Sequence, residues 1–133
     1  MKKLLLILIV VQASFVTIIS CKKDPGKGGS SSLTGRVLVR DYNSTYTVLQ
    51  EEYYGQAEDV YIIYGDDKFA SDRTRTNYDG TYEFPYLQKG TYHVYAYSDD
   101  STLQSNAKIP VIRDVAIGKN GQEVEVPLIK IVK

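Results

Sequence analysis

Apolar and polar residues take turns along most of this chain. Leu33-Thr-Gly-Arg-Val37-Leu-Val39-Arg40 alternates with one break at Leu38, and Thr81-Tyr82-Glu83-Phe84 alternates throughout. So do Thr91-Tyr92-His93-Val94-Tyr95-Ala96-Tyr97 and the stretch from Gln122 to Ile131. Val60-Tyr-Ile62-Ile-Tyr64, Ile109-Pro-Val111-Ile112 and Asp114-Val115-Ala-Ile117 are shorter apolar pieces. A period of two puts successive side chains on opposite faces of a strand, whereas a helix needs a period near 3.6. No window holds a helical period over more than two turns. Tyr, Val, Ile and Thr dominate these runs, as half-buried strands prefer. Gly65-Asp66-Asp67, Asn77-Tyr78-Asp79-Gly80, Lys89-Gly90, Asp99-Asp100 and Lys119-Asn120-Gly121 separate them. Asp-Gly and Asn-Gly tolerate the positive φ of tight hairpins. Residues 33–133 therefore read as one small all-β domain, a sandwich or barrel of about seven strands.

The 133 residues divide into a leader, a tether and this domain. Lys2 and Lys3 precede the unbroken apolar run Leu4 to Val11, and Phe15 to Ile19 is apolar too. That is the pattern of a secretory signal over residues 1–20. Gln12 and Ser14 interrupt the run, which falls short of the roughly 20 apolar residues that span a bilayer. The chain's single cysteine, Cys21, follows Ile18-Ile19-Ser20. This placement resembles the bacterial lipobox, whose cysteine thiol is acylated before cleavage on its N-terminal side. The resemblance implies a lipoprotein held at the membrane through Cys21, with outer membrane as the expected location. Each buried CH₂ adds about 0.8 kcal/mol, so two or more acyl chains anchor stably. Residues 22–32, KKDPGKGGSSS, contain nothing apolar and read as a flexible tether of roughly 18 Å r.m.s. span.

Charge and composition remove several functions. Sixteen basic residues balance sixteen acidic ones, and the leader carries two of the basic ones away. A nucleic-acid binder needs clustered Lys and Arg, so that class of partner is not expected. One Cys permits neither an internal disulfide nor a cysteine metal cluster, and one His rules out any site needing two imidazoles. There is no Gly-x-Ser-x-Gly elbow, no phosphate-binding Gly-rich loop and no His-Glu-x-x-His. His93, between tyrosines on the expected outer face of its strand, reads as a surface side chain and not a catalytic base. Asp66-Asp67 and Asp99-Asp100 supply oxygen ligands for Ca²⁺ only if their turns meet at one end of the domain. Neither enzyme activity nor a cofactor is expected.

Gly35-Arg-Val37, Val60-x-Ile62, Thr76-Asn-Tyr-Asp79-Gly80-Thr-Tyr82-Glu-Phe84, Leu87-Gln-Lys-Gly90-Thr91-Tyr92-x-Val94 and Val124-x-Val126-Pro-Leu128 occur in that order. This series resembles the carboxypeptidase regulatory-like family over roughly residues 33–130. The resemblance implies a Greek-key β-sandwich of the prealbumin (transthyretin-like) type, without the peptidase domain that gives the family its name. Catalysts of similar topology do not fit. Intradiol dioxygenases hold iron with two Tyr and two His, and hydroxyisourate hydrolases need several His. The collagen-adhesin relatives form a Lys–Asn isopeptide, but the first strand here offers only Arg36 and Arg40.

One departure from the family pattern remains. The connection from Asp41 to Glu58 is long and carries Tyr42, Tyr46, Tyr53 and Tyr54. Tyr46-Thr-Val48-Leu49 reads as a strand extension or a small hairpin within it, and loops longer than about 12–15 residues are usually functional or disordered. Exposed tyrosines supply rigid amphipathic contact area at little entropic cost. These four are the candidate binding residues, and a protein of the cell envelope is the expected partner. The alternative is a glycan, captured for an outer-membrane uptake system. Tyr61, Tyr82 and Tyr92 read instead as half-buried strand positions. Asn43-Ser44-Thr45 and Asp100-Ser101-Thr102 match short glycosylation patterns, which arise readily by chance.

Overall fold

The computed structural model describes residues 23–102 and 105–133. The signal segment and Cys21 lie outside the described residues. The described residues hold nine strands and no helix: β1 (Lys27–Tyr42), β2 (Leu49–Tyr54), β3 (Asp59–Tyr64), β4 (Asp72–Arg75), β5 (Thr81–Leu87), β6 (Gly90–Asp99), β7 (Lys108–Ile117), β8 (Glu123–Glu125) and β9 (Ile129–Val132). They form two sheets, one of β1, β2, β5, β8 and β9, the other ordered β4-β3-β6-β7.

The long strand β1 organises the first sheet. Val37 donates its N–H to the Gly80 carbonyl and accepts from the Gly55 N–H, both at about the middle of the strand. One residue's N–H and C=O point to the same side, so β5 and β2 follow each other along a single edge of β1, both antiparallel. Along the other edge run β8 and β9, both parallel to β1. Leu33, Val37 and Val39 face inward from β1 and are wholly buried. They meet Val60 and Ile62 of β3, Tyr92, Val94 and Ala96 of β6, and Ile129 and Ile131 of β9. The core thus lies between the two sheets.

Asp79-Gly80 forms the expected tight turn but closes no hairpin: β4 pairs with β3 and β5 with β1, so the turn carries the chain from one sheet to the other. Gly80 has φ 78°, and Asn77 accepts the Gly80 N–H to close the turn into β5. Leu87 is 1% exposed and plugs the sandwich end. Tyr92, Val94 and Ala96 face the core, while His93 and Tyr97 face out.

Three further expectations are corrected. First, the tether does not reach residue 32: β1 begins at Lys27, and Ser31 is buried. Its hydroxyl donates to the Lys119 carbonyl and accepts from the Gln122 N–H. Backbone pairing needs no apolar side chain, so a Gly-Ser composition joins the sheet. Second, there are nine strands among the described residues instead of about seven. Pro127 has no N–H to continue a ladder, and the C-terminal stretch is divided into β8 and β9. β2 and β4 are additional, while the two pieces from Ile109 to Ile117 form the single strand β7. Third, the segment from Asp41 to Glu58 is not a long loop: of the two forms open to Tyr46–Leu49, strand extension or small hairpin, it takes the hairpin. β2 folds back on β1 as a hairpin, and Asn43 holds the turn by accepting the Thr47 and Val48 N–H groups on its side-chain oxygen.

Candidate functional site

The outer face of the four-stranded sheet carries a cluster of aromatic rings. Tyr61 of β3 and Tyr95 of β6 are direct cross-strand partners. Their rings stack with centroids 5.1 Å apart and planes 15° from parallel. Tyr97, two residues along β6, meets both rings edge-on, with centroids 5.5 Å and 5.4 Å away. Such offset and edge contacts are the favoured aromatic geometries. Tyr95 is enclosed by its neighbours and only 8% exposed, whereas Tyr97 is 45% exposed. Burial, and then hydrogen bonding to Tyr97, push the Tyr95 phenol up to about 12.

Polar and apolar groups flank the ridge. On one side Arg73 is the cross-strand partner of Tyr61. Asp59 holds Arg75 at 2.9 Å and Arg73 only loosely at 4.0 Å. On the other side Ile112 stands opposite Tyr95 and is 47% exposed. His93 Nδ1 lies 2.5 Å from Asp114 Oδ1 on the same face. The surface thus combines ring faces, phenol hydroxyls, an available guanidinium and an exposed branched aliphatic.

The four tyrosines expected to bind are not brought together. Tyr53 and Tyr54 are consecutive in β2 and point to opposite faces. Tyr54 lies under the Arg36 guanidinium, 3.5 Å from ring centroid to Cζ, which is a close cation–π contact. Tyr42 closes β1, 5.8 Å from the Arg40 guanidinium. Tyr46 occupies a left-handed turn position at φ 54°. It lines a polar hollow of about 250 Å³ with Ser44, Asp99, Asp100 and Asn106.

Other sequence candidates have local employment. Asp67 accepts from the Ser71 hydroxyl, Asp99 pairs with Lys108, and Asp100 accepts from both Thr102 N–H and Oγ1. The two Asp pairs cannot share an ion. Tyr64, just before Asp66, is paired with Tyr92 near the start of β6, whereas Asp99 ends that strand. At about 3.3 Å per residue they lie at opposite ends of the sheet. Among the described residues no group of three His, Cys, Asp or Glu side chains converges. A second hollow of about 330 Å³ lies on the first sheet, lined by Thr34, Arg36, Asn77, Thr81, Glu83 and Glu125.

The ridge was partly visible beforehand. Alternation places Tyr95 and Tyr97 outside the core. Their meeting with Tyr61 depends on the β3–β6 register, which the pattern within either strand does not encode.

No family model matches the chain. No curated protein matches it either. Among solved structures, the chain is similar to a Pseudomonas aeruginosa protein described as a candidate carbohydrate binding protein. The two are 11% identical, with a TM-score of 0.48, over 81% of this chain and 91% of that one.

Proposed function

We propose that this chain is a non-catalytic binding module carried at a bacterial envelope by lipid on Cys21, and that its Tyr61–Tyr95–Tyr97 ridge takes a glycan. The observation that carries the reading is the contiguous aromatic ridge on an open sheet face. Sugar rings offer apolar C–H faces to aromatic rings and hydroxyls to phenols, guanidinium and carboxylate. This face supplies both kinds of contact with side chains held by the sheet. The carboxypeptidase regulatory-like assignment belongs to the same proposal. It is supported by the Asp79-Gly80 turn, the buried Leu87 plug and the reversal at Gly90, where φ is 148°.

The test is titration of the chain against a panel of neutral and acidic polysaccharides, with Tyr61→Ala and Tyr97→Ala beside wild type. Each substitution is expected to weaken saturable binding by about tenfold or more, as truncation of a central aromatic anchor does. Thermal melting controls for folding. Equal binding by wild type and both variants removes the ridge as the site, and failure of every polysaccharide to bind removes the glycan. Separately, Cys21→Ser is expected to move the protein from the membrane fraction to the soluble one.

A further inference from the structure

Sheet edges are normally guarded against pairing by proline, by charged side chains, by bulges or by shortness. Most edges of this sandwich follow that rule. β4 has four residues, two of them Arg73 and Arg75. β5 carries Pro85, β7 carries Pro110, β8 has three residues and β9 carries Lys130. β2 is guarded in another way, by the acidic pair Glu51 and Glu52 and by a register slip at Gln50. Its sequence LQEEYY has no proline and no basic residue, and all six positions are exposed. Among the described strands β2 pairs only with β1, so its other edge is open.

The register shows what that edge offers. Val39 pairs with Tyr53 and Asp41 with Glu51, and the odd-numbered residues of β1 direct their N–H and C=O toward β2. The N–H and C=O of Glu52 and Tyr54 therefore point away from β1, toward the open side, while the register slips at Gln50, which has no partner on β1. The charges on this hairpin are also incomplete. Glu52 pairs with Arg40 at 2.9 Å. Glu51 instead faces Asp41 directly across the ladder, a like-charge pair that destabilises a hairpin. Among the described residues no ion pair engages either carboxylate.

We propose that the open edge of β2 is a strand-addition site for an extended segment of a partner protein with Lys or Arg opposite Glu51. An added antiparallel strand bonds to Glu52 and Tyr54. That makes the position opposite Glu51 a non-hydrogen-bonded one, where facing side chains approach most closely. A cation there neutralises Glu51 and lies near Asp41. A second copy of this chain does not fit the same edge. Antiparallel self-pairing about the strand centre sets Glu51 against Glu51, or Glu52 against Glu52. The site lies on the other sheet from the tyrosine ridge and does not depend on the glycan reading.

The test is amide hydrogen exchange on the full chain, read by NMR, with a peptide alternating Thr and Lys. A peptide alternating Thr and Glu is the control. The Lys peptide is expected to slow exchange at Glu52 and Tyr54 by about tenfold or more, while Glu51 and Tyr53, already bonded to β1, stay unchanged. Glu52→Pro removes an outward N–H together with the Arg40 ion pair and is expected to weaken uptake by about tenfold. Glu51→Lys is expected to transfer the preference to the Glu peptide, which keeps the test decisive should Glu52→Pro fail to fold. Tyr97→Ala leaves uptake unchanged. Slowing confined to other strands, equal uptake of both peptides, or no slowing by either peptide overturns the proposal.

Discussion

The phenol of Tyr92 is tied to Gly26, sixty-six positions earlier in the chain. The Gly26 N–H donates to the phenol oxygen at 3.0 Å, and the hydroxyl donates to the Gln88 carbonyl at 2.6 Å. The Gln88 N–H in turn donates to the Gly26 carbonyl at 2.8 Å. One wholly buried side chain thus closes the N-terminal arm onto the turn between β5 and β6. Tyr92→Phe leaves the ring and removes the link. The stranded Gly26 N–H and Gln88 carbonyl are expected to cost about 1–3 kcal/mol. Urea unfolding measures the loss, and an unchanged midpoint would show that the phenol link contributes nothing to stability.

Gly29 gives a second way to examine the arm. A Cβ there would stand 2.0 Å from the Leu87 carbonyl oxygen and 2.4 Å from its carbon. In a free tether Gly29→Ala is without consequence. In β1 it forces the β1–β5 pair apart, and a cost of about 1–3 kcal/mol is expected, as for other overpacked sites. Thermal melting distinguishes the two, since about 1 kcal/mol moves the midpoint of a domain this size by several degrees.

That residue also shows why some of the fold was legible and some was not. Alternation sorts Tyr92, Val94 and Ala96 from His93, Tyr95 and Tyr97 because one face of β6 meets the other sheet; Tyr95, on the outer face, is buried by its tyrosine neighbours instead. From residue 27 to 32 there is no apolar face to alternate. The small residues serve close backbone approach at Gly29 and a buried hydroxyl at Ser31, and the same composition describes a linker equally well. The aromatic ridge is hidden for another reason. Tyr61 and Tyr95 are far apart in the chain, and only the β3–β6 register stacks them. Tyr53 and Tyr54 mislead in the opposite direction: adjacent in sequence, they are separated by the pleat.

The Arg36–Tyr54 contact makes those two neighbours unequal. The guanidinium over the Tyr54 ring also donates from Nη2 to the Asp79 carbonyl, bracing the turn before β5. Tyr54→Ala is expected to cost about 1 kcal/mol through the lost cation–π contact. Tyr53→Ala, at an exposed position with no such partner, is expected to fall within about 0.5 kcal/mol of wild type. Denaturant midpoints of the two single variants test this. A double substitution therefore mixes stability with binding, and the single Tyr53 variant is the cleaner probe of the hairpin surface.

Tyr82 presents a buried hydroxyl with no hydrogen-bond partner among the described residues, 2.4 Å from where a Cβ on Gly35 would be. Burial drives its phenol far above the ordinary value of 10.0, and the Arg113 charge offsets this only in part. The raised pKa means that the folded state keeps this proton when the unfolded chain has lost it. Its contribution to stability is therefore complete below about pH 10 and declines as pH rises beyond that, by up to about 1.4 kcal/mol per pH unit. Tyr95, pushed up to about 12, adds a slope of the same sign. Tyr82→Phe removes an unsatisfied polar atom and keeps the ring, so at pH 7 it is expected to be neutral or stabilising. Above pH 10 the variant is expected to lose stability less steeply than wild type, by about one proton's worth. Urea unfolding at neutral and alkaline pH measures both effects. A loss of more than about 1 kcal/mol at pH 7 would mean that the hydroxyl has a bonding partner after all, and parallel alkaline slopes would move the titrating group away from Tyr82.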